Sequence, residues 1–121
     1  MRAAPIVAEV LRGDPALTPV NVYTARVADL ARRLPALVVL PSGGRIADER
    51  FSYVASVTVD AYAATAADAE QLAWTARDAL VAQASRAVGA VRTTSPPQIV
   101  PDAGTPGLAR CLAVYAVQLA L

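Results

Sequence analysis

Residues 51–87 read FSYVASVTVDAYAATAADAEQLAWTARDALVAQASRA, and the hydrophobic period changes once along them. From Phe51 to Tyr62 apolar and polar residues alternate: Phe51, Tyr53, Ala55, Val57 and Val59 against Ser52, Ser56, Thr58 and Asp60. Successive side chains of a strand point to opposite faces, so this pattern predicts a half-buried strand. Val54 and Tyr62 are apolar exceptions on its polar side. Beyond Thr65 the spacing becomes helical. Ala69, Leu72, Ala73, Ala76, Leu80 and Ala84 fall on one stripe at about 100° per residue, which predicts a helix over 66–87. Thr65 is a natural N-cap, and Asp68 three positions later completes a capping-box pattern. Asp68 and Glu70 lie where the helix dipole favours negative charge, Arg86 lies near the opposite end, and Gly89 supplies the stop.

Trp74 and Val81 stand off that stripe, about 120–140° round the same wheel beside Glu70, Asp78 and Ser85. Two readings are open. Trp74 caps the edge of the core, since isolated apolar residues on a surface are normal. Alternatively Trp74 and Val81, one helical repeat apart, anchor a contact with another subunit, because interface cores favour aromatics.

On the N-terminal side, residues 3–12 predict a short helix. Pro5 suits its first turn, Val7, Val10 and Leu11 share a face, and Gly13-Asp14-Pro15 ends it. Thr18 to Val27 predicts a strand through Val20 and Val22, and Val27, Leu30, Ala31 and Leu34 take up helical spacing before Pro35. Ala36 to Leu40 is a continuous apolar run between Pro35 and Pro41, as in a strand covered on both faces. Ser42-Gly43-Gly44 breaks it, and Arg45 to Arg50 reads as a polar loop.

On the C-terminal side, Val91 to Val100 is a strand interrupted by Pro96-Pro97. Proline cannot donate to a ladder, so this strand belongs at an edge or breaks there. Pro101 to Gly107 is a turn, and Leu108 to Leu121 closes the domain as a last strand. The expected fold is therefore α+β: a mainly antiparallel sheet of four to five strands, with one long helix and one or two short helices packed on it. The long helix must cross one face of the sheet to bury its Ala-Leu stripe. A chain of 121 residues holds one such domain, spanning 1–121.

Composition bounds the function. Eleven basic residues face ten acidic ones for a net charge of +1, and every basic residue is Arg, the usage a GC-rich genome favours. The Arg residues are scattered, with Arg32-Arg33 the only adjacent pair, unlike the basic cluster of a nucleic-acid-binding domain. The single Cys111 lies in an apolar run and reads as a buried, inert thiol rather than half of a disulfide. Glu9 and Arg12 interrupt any signal-peptide core, and no stretch approaches the ~18 apolar residues of a membrane span. The expectation is a cytosolic, soluble chain.

Reactive chemistry is scarce. Histidine is absent, which removes the usual base near neutral pH and the Ser-His and Cys-His forms of nucleophilic catalysis. With one Cys and no His, metal ligation would fall to carboxylates, of which Asp48-Glu49 is the only adjacent pair. Gly43-Gly44-Arg45 follows a strand, but neither the P-loop nor the dinucleotide pattern is present. No catalytic residue, cofactor or metal is expected.

The order of these pieces resembles the tail-terminator (tail-completion, neck) family of long-tailed phages and prophages. The matching parts are the first helix ending in Gly13-Asp14-Pro15-Ala16-Leu17 and the block Leu34 to Gly44. Asp48-Glu49-Arg50-Phe51 then leads into a strand closing on Val59 to Thr65, and the helix beginning Ala66 to Ala73 follows at once. A Pro-containing strand, Pro101-Asp102 and the strand Arg110 to Leu121 complete it. The resemblance implies a virion structural protein without catalysis, assembled in the host cytoplasm into a ring, commonly of six copies. Such a ring stops polymerisation of the tail tube protein on one face and meets the head–tail connector protein on the other. Genomic DNA passes through its centre without sequence-specific binding. Each repeated interface of a closed ring must be specific and normally buries upwards of ~1,000 Å². The Trp74/Val81 surface and the segment carrying Arg45, Asp48, Glu49 and Arg50 are the nominated contacts. The alternatives are a connector or stopper ring of the same neck and, in a different class, a small α+β ligand-binding domain. A transcriptional regulator is disfavoured by the lack of a basic recognition helix.

Overall fold

The computed structural model describes residues 3–25, 30–48, 52–87, 90–100 and 108–120. Helix α1 (Ala3–Arg12) buries Val7, Val10 and Leu11 as their spacing predicts, together with Ala3, Ala4 and Ala8. Asp14 then caps a 3₁₀ turn over Pro15–Leu17, its Oδ1 accepting from Ala16 N at 2.9 Å. The strand expected over Thr18 to Val27 shrinks to β1 (Asn21–Tyr23), because turn hydrogen bonds, including Val20 N to Leu17 O, occupy the residues before it. The helix expected between Val27 and Leu34 is corrected to a 3₁₀ turn at Leu30–Arg32, and residues 26–29 lie outside the described ones.

The next two strands are β2 (Ala36–Asp48) and β3 (Ser52–Ala63). Gly43 does not end β2 as expected. It takes φ +113°, a left-handed value that side chains disfavour, and the strand passes through a register shift between Pro41 and Gly44 and continues. A Cβ at Gly43 would meet nothing within 4 Å, so the demand for glycine is conformational rather than steric. Phe51, placed at the start of β3 by its alternation, lies outside the described residues.

Helix α2 (Ala66–Ala87) starts at the predicted cap, with Asp68 N donating to Thr65 Oγ1 at 3.2 Å. Its buried stripe is Ala69, Leu72, Ala73, Ala76, Ala79 and Leu80, so Ala79 joins the expected set. The side chain of Ala84 and the stop at Gly89 lie outside the described residues. Strands β4 (Ala90–Val100) and β5 (Ala109–Ala120) complete one five-stranded sheet of order β1-β2-β3-β5-β4. The sheet is mixed: β1 pairs parallel to β2, and the other three pairings are antiparallel. β4 occupies an edge, one of the two outcomes that Pro96-Pro97 leaves open, and its register shifts between Ser95 and Gln98.

Both helices lie on one face. There Leu37 and Val39 of β2, Ala55 to Ala63 at alternate positions of β3, and Cys111, Ala113, Tyr115 and Val117 of β5 form a single core with α1 and α2. Ala36 and Val38 are fully buried as well, so this part of β2 is covered on both sides, as its unbroken apolar run predicts.

Candidate functional site

Helix α2 presents its unburied side to solvent with Trp74 41% and Val81 48% exposed. They are seven positions apart, which is about two turns, so they stand one above the other with Asp78 between. The Arg77 guanidinium lies 5.6 Å from the Trp74 ring centroid, within reach of a cation–π attraction, and Arg77 Nη1 is 3.4 Å from Asp78 Oδ1. This is an apolar pair framed by charged side chains.

At the second nominated surface it is the expected loop that is corrected. Arg45 to Asp48 do not form a loop but continue β2, in register with β3 through the pairs Arg45↔Val54 and Asp48↔Ser52. The bulge at Gly43 absorbs the turn tendency of Ser42-Gly43-Gly44 without ending the ladder. Glu49 and Arg50 lie outside the described residues.

The sheet face opposite the helices holds a feature that the alternation hides. Asp60 falls on the polar side of β3 and reads as solvent-exposed, yet it is 1% exposed. Arg110 Nη2 reaches its Oδ2 at 3.0 Å across the β3–β5 pairing, with the Arg110 side chain 23% exposed. Asp60 Oδ1 meets no hydrogen-bond donor among the described residues. The usable signal was the neighbouring Tyr62, an apolar residue on the same face and itself buried, which marks that end of the face as covered. Further along, Leu40, Val54, Leu112, Val114 and Ala116 are half-buried on this face.

Inside the core, Tyr115 and Cys111 share the helix-facing side of β5 and are fully buried. Burial pushes the Cys111 thiol above its ordinary value, and the charge of Glu70 adds to the rise. Burial likewise pushes the Tyr115 phenol up to about 12. Arg77 opposes that rise, and Cys111 and Asp78 add to it. Both groups are thus neutral near pH 7, which suits packing rather than nucleophilic attack. Among the described residues, no group of three or more Cys, Asp or Glu side chains could hold a metal ion, and no helix is long and apolar enough to cross a membrane.

Tyr115 gives a test of this core. Its hydroxyl has no hydrogen-bond partner among the described residues, so it is desolvated without compensation. A folded-state pKa raised from 10 to about 12 means that the phenol's contribution to stability is intact below pH 10 and is lost as pH rises toward 12. In full that loss is roughly 2–3 kcal/mol, at ~1.4 kcal/mol per unit, and about half of it is reached at pH 11. Tyr115→Phe should abolish this alkaline step and leave neutral-pH stability unchanged or about 1 kcal/mol higher. Urea unfolding at pH 8 and at pH 11 measures both, and an equal alkaline loss in the Phe variant would assign it to other groups.

No protein-family model matches the chain, and no curated protein sequence matches it. Among solved structures it is similar to a chain of the virion of a native gene transfer agent (GTA) particle, at a TM-score of 0.56 and 20% identity. The likeness covers 98% of this chain and 95% of that one, so the two share a fold from end to end.

Proposed function

We propose that this chain is a structural subunit of a phage-like virion and works without catalysis. Copies of it close into a ring, commonly of six, at the head-proximal end of the tail tube. One face of the ring stops the tube protein, the other meets the head–tail connector protein, and genomic DNA passes through the centre. The observation that carries this reading is the end-to-end likeness to a chain of a gene transfer agent virion, with almost nothing of either chain left over.

Two further features support it. The exposed Trp74/Val81 pair on α2 supplies an apolar anchor with charged neighbours, as a repeated subunit contact needs. A net charge of +1 with dispersed Arg residues suits a conduit, because each phosphate neutralised by a basic side chain adds affinity and would hold the DNA in place. Deleting the gene is the direct test. The expected outcome is tubes of uncontrolled length without heads attached, seen by electron microscopy, with normal particles restored by the gene in trans. Normal particles from the deletion would refute the assignment.

A further inference from the structure

We infer that neighbouring copies join by adding strand β4 of one to the free edge of β2 of the next, so that the sheet runs on around the assembly. This rests on the ring reading above and supplies the contact that would close it.

The sheet has two outer edges, one on β2 beyond β1 and one on β4. Strand β1 covers only Ala36–Val38 of the 13-residue β2, which leaves the outer backbone edge from Val39 to Asp48 without a strand partner among the described residues. At the far side β4 presents its own outer edge, and Pro96-Pro97 interrupts its donors. The pairings across the sheet put these edges on a common scale. Leu40 lies in one row with Thr58, Val114 and Ser95, and Pro41 in one row with Val57, Tyr115 and Thr93. Arg92 pairs with Ala116 and Ala116 with Ser56, whose Oγ is 2.8 Å from Ser42 Oγ. The uncovered part of β2 and the proline-free part of β4, Ala90 to Ser95, therefore stand at the same height. The prolines fall between the rows of Leu40 and Val38, where β1 begins to cover β2.

That coincidence is what closure demands. A ring has no rise from copy to copy, so its two complementary surfaces must lie level; any offset would build a helix instead. Strand sense agrees too. Three successive antiparallel pairings make β4 run opposite to β2. A rotation about an axis near the strand direction preserves that sense, so β4 meets the next β2 antiparallel, like its neighbours within the sheet. Pro41 removes one donor from the β2 edge, and its carbonyl remains. Long free edges are aggregation hazards in a lone monomer; between Ala90 and Ser95 the only charged residue is Arg92, and the uncovered edge of β2 carries Arg45 and Asp48. Pairing each edge with its counterpart removes the hazard.

Ser42 and Arg92 are both exposed, on the same sheet face and in the same row, so in the joined sheet they become cross-strand neighbours. Antiparallel neighbours have Cα atoms about 4.5–5.5 Å apart, inside the range a disulfide spans. Ser42→Cys/Arg92→Cys should give a covalent ladder up to the closed ring on a non-reducing gel after mild oxidation, both in purified protein and in purified particles. Ser42→Cys/Gln98→Cys is the control. Gln98 is exposed on the same face but four rows away, about 13 Å, and should not link. The unsubstituted protein should stay unlinked, because Cys111 is fully buried. Rings that form by native mass spectrometry yet fail to link through 42 and 92, or link equally well through 42 and 98, overturn the edge pairing and leave the ring standing. A chain that is monomeric in solution and absent from particles overturns both.

Discussion

Arg110→Ala should destabilise the folded chain by about 3–5 kcal/mol. The reason is what the substitution leaves behind. Asp60 is 1% exposed, and the Arg110 guanidinium at 3.0 Å is the cation that compensates it. Desolvating a carboxylate is expensive, and its attraction to a partner in a poorly hydrated site repays the cost only while the partner is present. Arg110→Ala keeps the cost and removes the repayment. Asp60→Asn/Arg110→Met, which takes away both charges, should recover most of the loss, because no uncompensated ion remains. Urea unfolding of Asp60→Asn, Arg110→Met and the double variant closes a mutant cycle, and the expected coupling is 1 kcal/mol or more in favour of the pair. Additive losses would mean that the two side chains are stabilised by their surroundings rather than by each other. A loss of this size is a large share of the 5–15 kcal/mol that holds most domains together.

Trp74→Ala should do the reverse, sparing the monomer and dismantling the assembly. In the monomer the indole is 41% exposed, and what it loses on truncation is its partial packing and the Arg77 contact, the latter worth about 0.5–1 kcal/mol. At an interface, truncating a buried aromatic anchor costs ~2 kcal/mol or more, which is about 30-fold in affinity at 1.4 kcal/mol per factor of ten. A ring repeats the contact at every joint, so the penalty accumulates around it. The variant should unfold at nearly the parent temperature while the concentration needed for assembly rises at least 30-fold, as read by sedimentation. Val81→Asp, placing a charge two turns along the same stripe, should have the same effect. If Trp74→Ala instead lowers monomer stability by several kcal/mol and leaves assembly unchanged, the indole is the rim of the core and the contact lies elsewhere.

Much of this architecture was legible from hydrophobic period alone. The change from alternation to helical spacing at Thr65 located β3 and α2, and the Thr65 cap formed where Asp68 three residues on predicted it. Pro96-Pro97 limited β4 to an edge or a break, and Cys111 is buried as its apolar context implied. The exposure of Trp74 and Val81 also followed from their positions on the helical wheel. These readings share a cause. Each depends on the geometry of one element, in which the direction of a side chain is set by the backbone dihedrals of residues close by.

What only the tertiary structure decided depends on segments far apart in the chain. The parallel placement of β1 beside β2 requires a crossover whose course local pattern does not encode. Gly43, with its neighbour Gly44, reads locally as a stop, and it became a bulge because β3 offered partners on both sides of it. Asp60 alternates as a solvent residue does, and only pairing with a strand 50 residues away brings Arg110 over it and makes its burial tolerable. The matched height of the two free edges is likewise a property of register across four strands, and no single strand carries it. Sequence period sets which way each side chain faces; the pairing of distant segments sets what it faces.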